Sequence, residues 1–114
     1  MDVALTIATH YADGTLTIAV TGGLDISTSQ QLVACLDSVF EQLIRQRRGA
    51  VDRLVIDTSS VSFIDAHGLG TLVALCNRAR HHRISLRLAA PSAAVQRVLA
   101  VTGMRHHFLP HPGI

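Results

Sequence analysis

Phe63-Ile64-Asp65-Ala66-His67-Gly68-Leu69-Gly70 is the stretch on which the reading of this chain turns. It follows the short apolar run Leu54-Val55-Ile56-Asp57 and opens a longer run over residues 69–80. The first run is β-branched and short, as a strand is; the second has the apolar spacing of a helix. The junction sets an acid and two glycines at a helix N-terminus. Backbone N–H groups there lack partners, and the helix dipole carries partial positive charge. Asp65 is placed to cap that helix, a contribution of about 1 kcal/mol. Gly68 and Gly70 permit a close backbone approach, of a neighbouring strand or of a partner.

On the N-terminal side, Val3, Leu5 and Ile7 alternate with polar or small neighbours, which predicts a strand with one buried face. Leu16, Ile18 and Val20 alternate again, and Asp13-Gly14 between the two runs signals a hairpin. Gly22-Gly23 ends the second strand. Thr28-Ser29-Gln30-Gln31 has the T-x-x-Q form of a capping box, so a helix is expected from near Ser29. Its stripe is Leu32, Leu36, Val39, Phe40, Leu43 and Ile44, running to about Arg47 with Gly49 as terminator. Residues 53–57 read as a central strand, and residues 58–62 as a loop leading into the junction.

On the C-terminal side, the junction helix is expected to run to about His82 on Leu69, Leu72, Val73 and Cys76. Ile84, Leu86 and Leu88 alternate as a fourth strand. Pro91-Ser92 opens a third helix, with Ser92 as cap and Val95, Val98 and Leu99 facing inward; Gly103 and Met104 close it. His107 to Leu109 reads as a short edge strand before Pro110 and Pro112. The element order is β-β-α-β-α-β-α. Helical crossovers favour parallel pairing of the later strands, and the first hairpin is antiparallel. The expected fold is α/β: one domain over residues 1–114, a mixed sheet of four to five strands with helices packed on it.

Composition narrows the function. Of the 114 residues 48% are hydrophobic and 16% charged, enough for a core and against disorder. No apolar run approaches the roughly 20 residues of a bilayer span. No basic-then-apolar leader opens the sequence, so a cytoplasmic protein without membrane insertion is expected. A net charge of +2 is too small to imply nucleic acid. The basic groups Arg45, Arg47, Arg48 and Arg78, Arg80, Arg83 fall at helix C-termini, where they complement the dipole, and no aromatics interleave them. Cys35 and Cys76 occupy apolar helical positions, which suits core packing. There is no lysine, no Ser-His-Asp order and no pair of carboxylates, so neither an enzyme nor a cofactor is indicated. His81 and His82 point about 100° apart on a helix. His106, His107 and His111 have no cysteine or carboxylate beside them, so no metal set is expected.

Three motifs resemble those of the STAS domain family, the anti-sigma factor antagonists, and together they cover nearly the whole chain. Gly22-Gly23-Leu24-Asp25-Ile26-Ser27-Thr28 resembles the family's G-E-L-D-x-x-T. Val61-Ser62-Phe63-Ile64-Asp65-Ala66-His67-Gly68-Leu69-Gly70 resembles V-x-F-x-D-S-x-G-L-G. Leu99-Ala100-Val101-Thr102-Gly103-Met104 resembles the weaker L-x-x-x-G-L/M. The resemblance implies a bacterial regulatory module that binds an anti-sigma factor of the serine kinase type and so releases a sigma factor. In phosphorylated relatives the kinase then modifies the hydroxyl that follows the Asp, and the complex ends.

Two departures stand out. The family's Glu is Gly23, and its phosphoacceptor is Ala66, which cannot be phosphorylated. The resemblance assigns Asp25, Thr28, Asp65, Ala66, His67, Gly68 and Leu69 to the partner-binding surface. Asp25 and Asp65 also have purely local readings, as a turn ligand and an N-cap. His67 shapes the surface, or carries phosphate, binds metal or senses pH. Ser59, Ser60 and Ser62 are alternative acceptors. The competing functions are a scaffold or accessory subunit, of a stress-signalling assembly or a lipid-transport ATPase, and a small-ligand sensor binding an anion or nucleotide at the N-terminus of the Asp65 helix. Homodimer formation stays open.

Overall fold

The computed structural model describes residues 5–46 and 51–108. Asp13 and Gly14 both take positive φ, 51° and 78°. A two-residue turn of that type matches the twist of the strands it joins. It links β1 (Thr6–Ala12) to β2 (Thr15–Leu24), paired antiparallel from Thr6↔Thr21 to Ala12↔Thr15. The buried face expected of the first strand is largely missing: Ile7 is half-buried and the other six residues are exposed. Leu5, just ahead of the strand, is the buried residue, and its amide donates to Gln31 Oε1 (3.0 Å).

After the hairpin come α1 (Ser29–Gln46), β3 (Arg53–Ile64), α2 (Ala66–His81), β4 (Ser85–Ala89) and α3 (Ala93–Thr102). The sheet has the order β1-β2-β3-β4, with β2, β3 and β4 mutually parallel. Right-handed crossovers along a strand order that advances one way put both crossover helices on the same face. The burial follows. Ile18, Ile56 and Leu88 form one buried row across β2, β3 and β4, whereas the neighbouring row Thr17, Val55 and Arg87 is half-buried to exposed. Leu32, Leu36 and Phe40 of α1, Leu69, Leu72 and Leu75 of α2, and Val95 and Leu99 of α3 complete the core. Four strands form the sheet among the described residues, within the expected four to five.

Two expectations are corrected. The stretch 58–62 is not a loop: β3 continues for 12 residues to Ile64. Against β2 it carries an extra residue twice, since Ala19 pairs Asp57 but Thr21 pairs Ser60, and Gly22 pairs Val61 but Gly23 pairs Phe63. Each bulge shifts the inward phase by one residue. Burial therefore falls on Leu54, Ile56, Thr58, Val61 and Ile64, a spacing that hides a strand from the period-2 pattern. Nor are His107 and Phe108 part of a strand. They end a short helix, α4 (Arg105–Phe108), which sends Phe108 into the core at 1% exposure.

The caps are largely as read. Ser92 Oγ accepts from the Val95 amide (3.3 Å), and Gly103 at φ 71° ends α3. The Gly103 and Met104 amides reach back to Ala100 and Leu99 oxygens, which satisfies the last carbonyls. Arg78 does more than face a helix dipole: it pairs with Asp37 of α1, and its guanidinium lies 4.6 Å from the Phe40 ring centre. Cys35 and Cys76 are free, and burial pushes both thiols above the ordinary cysteine range. The readings of Val3, Arg47, Arg48, Gly49, Leu109, Pro110, His111 and Pro112 fall outside the described residues, as does that of the Ile44 side chain.

If Phe108 anchors α4, Phe108→Ala removes a filled core position. It is expected to lower unfolding free energy by about 3–5 kcal/mol in urea denaturation, whereas a surface tail would lose well under 1 kcal/mol.

Candidate functional site

The Leu24 carbonyl, at the end of β2, fixes the start of α2. Its oxygen accepts from the Asp65 amide (3.3 Å), and the backbone of Gly68 packs directly against it. A Cβ added at Gly68 would lie 2.9 Å from the Leu24 carbonyl carbon and closer still to its oxygen. Only glycine permits that approach. Asp65 completes the junction as N-cap: its backbone is extended (φ −108°, ψ −177°), and its carboxylate accepts from the Gly68 amide (2.8 Å). Gly70, by contrast, has open space where a Cβ would stand.

A second turn begins one residue after Leu24. Asp25 Oδ1 accepts from the Ser27 amide (2.9 Å), the Ser27 hydroxyl (2.7 Å) and the Thr28 amide (3.2 Å). The Thr28 hydroxyl donates to Gly23 O (2.6 Å) and accepts from the Asp25 amide (3.0 Å). The Ser27 hydroxyl does most to hold the Asp25 carboxyl below the usual aspartate range; burial opposes it as the next effect, and the Ser27 and Thr28 amides and the Thr28 hydroxyl add to the lowering. The expected capping box does not form. Thr28 is turned back onto β2, Gln31 is spent on Leu5, and the first turn of α1 is held by Ser29, whose amide donates to Asp25 O (2.8 Å).

What the two turns leave outside is mostly apolar. Ile26 is 72% exposed and Phe63 53% exposed. Ala66 and His67 are exposed at the first positions of α2. A groove of about 490 Å³ continues from Ala66 between the two crossover helices, bordered by Val33, Gly70, Ala74, Leu75 and Arg78. Thr28, Gly68 and Leu69 are buried, and Asp25 and Asp65 are half-buried with their carboxylates engaged in their own turns. Ser59, Ser60 and Ser62 are exposed on β3 rather than on a loop. No group of three His, Cys, Asp or Glu among the described residues is placed to hold a metal ion. No helix there is long and apolar enough to cross a membrane.

The STAS domain family model matches residues 6–113. The chain belongs to the STAS domain family. Three solved structures share its fold. An anti-sigma factor antagonist from Mycobacterium paratuberculosis is 24% identical with a TM-score of 0.73, covering 96% of this chain and 87% of that one. The unphosphorylated anti-sigma factor antagonist SpoIIAA is 20% identical with a TM-score of 0.71, over 95% of this STAS chain and 90% of its own. The transporter SLC26A9 is 18% identical with a TM-score of 0.67 over 84% of this chain, which spans 17% of the transporter's length. No curated protein matches by sequence.

Sequence reasoning missed Ile26, Phe63 and the groove residues Val33 and Ala74. Ile26 carries its own signal, an isoleucine inside a turn of Asp, Ser and Thr. Phe63 carries none, because the two bulges of β3 decide which way it faces.

Gly68→Ala is expected to cost roughly 3 kcal/mol or to prevent folding, by forcing β2 off α2, whereas Gly70→Ala is neutral or slightly stabilising; thermal unfolding separates them. The Asp25 prediction concerns pH. Its folded pKa lies below its unfolded one, so the stabilisation it gives is complete above the unfolded value and is lost as pH falls through the folded one. Ser27→Ala removes the largest cause and is expected to move the Asp25 titration, followed by NMR of the carboxyl carbon, up toward the ordinary range.

Proposed function

We propose that this STAS domain is a regulatory binding module of the anti-sigma factor antagonist kind, docking on an anti-sigma factor kinase and thereby releasing a sigma factor in the cytoplasm. The observation that supports it most is the exposure of Ile26, Phe63, Ala66 and His67, carried by the Asp25 turn, the end of β3 and the first turn of α2. Apolar groups held out on a rigid rim suit a protein partner. Asp25, Thr28, Asp65, Gly68 and Leu69 shape that strip from beneath, and Ala66 and His67 meet the partner. The fold shared with two antagonists agrees with this reading.

Ala66 removes the switch. A phosphate brings about −1.5 to −2 charge and a demand for new donors, enough to break an apolar contact. Position 66 has no oxygen to accept it. The module then acts constitutively, controlled by its amount, or competes with phosphorylatable relatives. A second reading, as the STAS unit of a larger assembly, draws on the SLC26A9 likeness, where the matching segment is a small part of a transporter.

The test mixes the chain with a candidate anti-sigma factor kinase and ATP. The expected result is a stable complex and no phosphate on the chain by intact mass, while Ala66→Ser gains one phosphate and loses affinity. Phosphate on Ser59, Ser60, Ser62 or His67 of the unaltered chain overturns the constitutive reading. Failure to bind, with a membrane transporter recovered in pull-down instead, favours the assembly.

A further inference from the structure

All eight acidic residues of the chain lie in its first 65 positions, whereas six of its ten arginines and six of its seven histidines lie in residues 66–114. Three arginines have carboxylate partners: Arg45 with Glu41, Arg53 with Asp52, and Arg78 with Asp37. Arg80 and Arg87 have none among the described residues. The contact shown for Arg80 is a hydrogen bond with the Cys76 thiol.

Those two arginines line one cavity. It measures about 250 Å³ at the free edge of the sheet, walled by Arg80 of α2, Ser85 and Arg87 of β4, and His107 of α4, with Cys76 and Phe108 beside them. Among the described residues no carboxylate contributes to its wall. His107 Nε2 is buried without a hydrogen-bond partner, its ring set edge-on to Phe108 at 4.9 Å between centres. Ser85 pairs with Arg53, the first residue of β3, so the cavity lies at the end of β3 opposite the Asp65 junction.

Arg80 and Arg87 both border this partly apolar space without a carboxylate partner among the described residues, so an anion held there would meet the positive charge of both. Guanidinium forks match the paired oxygens of a phosphate, and the unpartnered imidazole at the wall can donate a further bond. We propose that this cavity binds the phosphate group of a small phosphorylated molecule. The site is independent of the partner surface at Ala66. A soluble phosphate ester and a lipid headgroup present the same group, and the test distinguishes them.

The experiment uses the full chain. Amide NMR spectra are followed during titration with sodium pyrophosphate, against sodium chloride at matched ionic strength. In a second arm, the chain is sedimented with phosphatidylcholine vesicles with and without phosphatidylglycerol. Saturable shifts at Arg80, Ser85, Arg87 and His107 with a dissociation constant below about 1 mM are expected for a soluble ester. Arg80→Gln with Arg87→Gln is expected to weaken that binding at least about tenfold, and Arg97→Gln, on the exposed side of α3, less than about twofold. Arg87→Lys keeps the charge and loses the fork; it decides the matter if the double variant fails to fold, and several-fold weaker binding is then expected. Sedimentation that depends on phosphatidylglycerol and on Arg80 and Arg87, without a pyrophosphate response, assigns the site to a headgroup. Absence of saturable binding in both arms overturns the proposal. So does an equal loss with Arg97→Gln, which would reduce the effect to net charge.

Discussion

The approach of Gly68 to the carbonyl of Leu24 is the constraint on which the rest of the site depends. Parallel strands leave their ends at one side of the sheet, and there the chain must pass from β3 into α2 across the end of β2. With a side chain at position 68 the helix could not start where it does. Because it does start there, Asp65 is brought to its capping position and Leu24 accepts the Asp65 amide. Leu69 and Leu72 then enter the core, and Ala66 and His67 are left outside. One missing Cβ thus fixes the register of a helix, and the register decides which residues a partner can meet.

The two aspartates on either side of that contact are occupied in the same manner. Asp25 binds its own turn through Ser27 and Thr28; Asp65 binds the first turn of α2. Each holds its turn through Oδ1. The proposed docking surface therefore takes its shape from the turns and its apolar area from Ile26 and Phe63. On such a surface the usual phosphate would act by disrupting a fit, not by losing an ion pair. A methyl at position 66 keeps the shape of the helix start and leaves the fit untouched, so the substitution is compatible with a maintained binding role.

Much of this was legible because it rests on local chemistry. The Asp13-Gly14 turn, the Asp65 and Ser92 caps, the Gly103 stop and the three core stripes each follow from short spacings, and the STAS motifs fall on the elements expected of them. What was not legible depends on partners distant in sequence. The bulges of β3 exist only against β2, so 58–62 looked like a loop and Phe63 gave no sign of facing water. Thr28 and Gln31 have the spacing of a capping box, yet Gly23 and Leu5 draw them elsewhere. Phe108 turns α4 inward because the core offers it a place, which no alternation at the end of the chain could reveal.

Acids occupy both ends of the sheet. The junction end carries Asp25 and Asp65, each with one carboxylate oxygen engaged in its own turn, and the far end of β3 carries Asp52, paired with Arg53, while Arg80 and Arg87 have no carboxylate partner among the described residues. Asp37, paired with Arg78 beside the Phe40 ring, shows an acid set across from an arginine of the neighbouring helix. Arg80 and Arg87 are both exposed, so water screens their charges, and an anion at the cavity would add to their interactions rather than relieve a strain in the fold. The proposed phosphate site therefore rests on the lining of the cavity and on the unpartnered His107 Nε2, not on the want of a carboxylate, which Arg83, Arg97 and Arg105 share among the described residues.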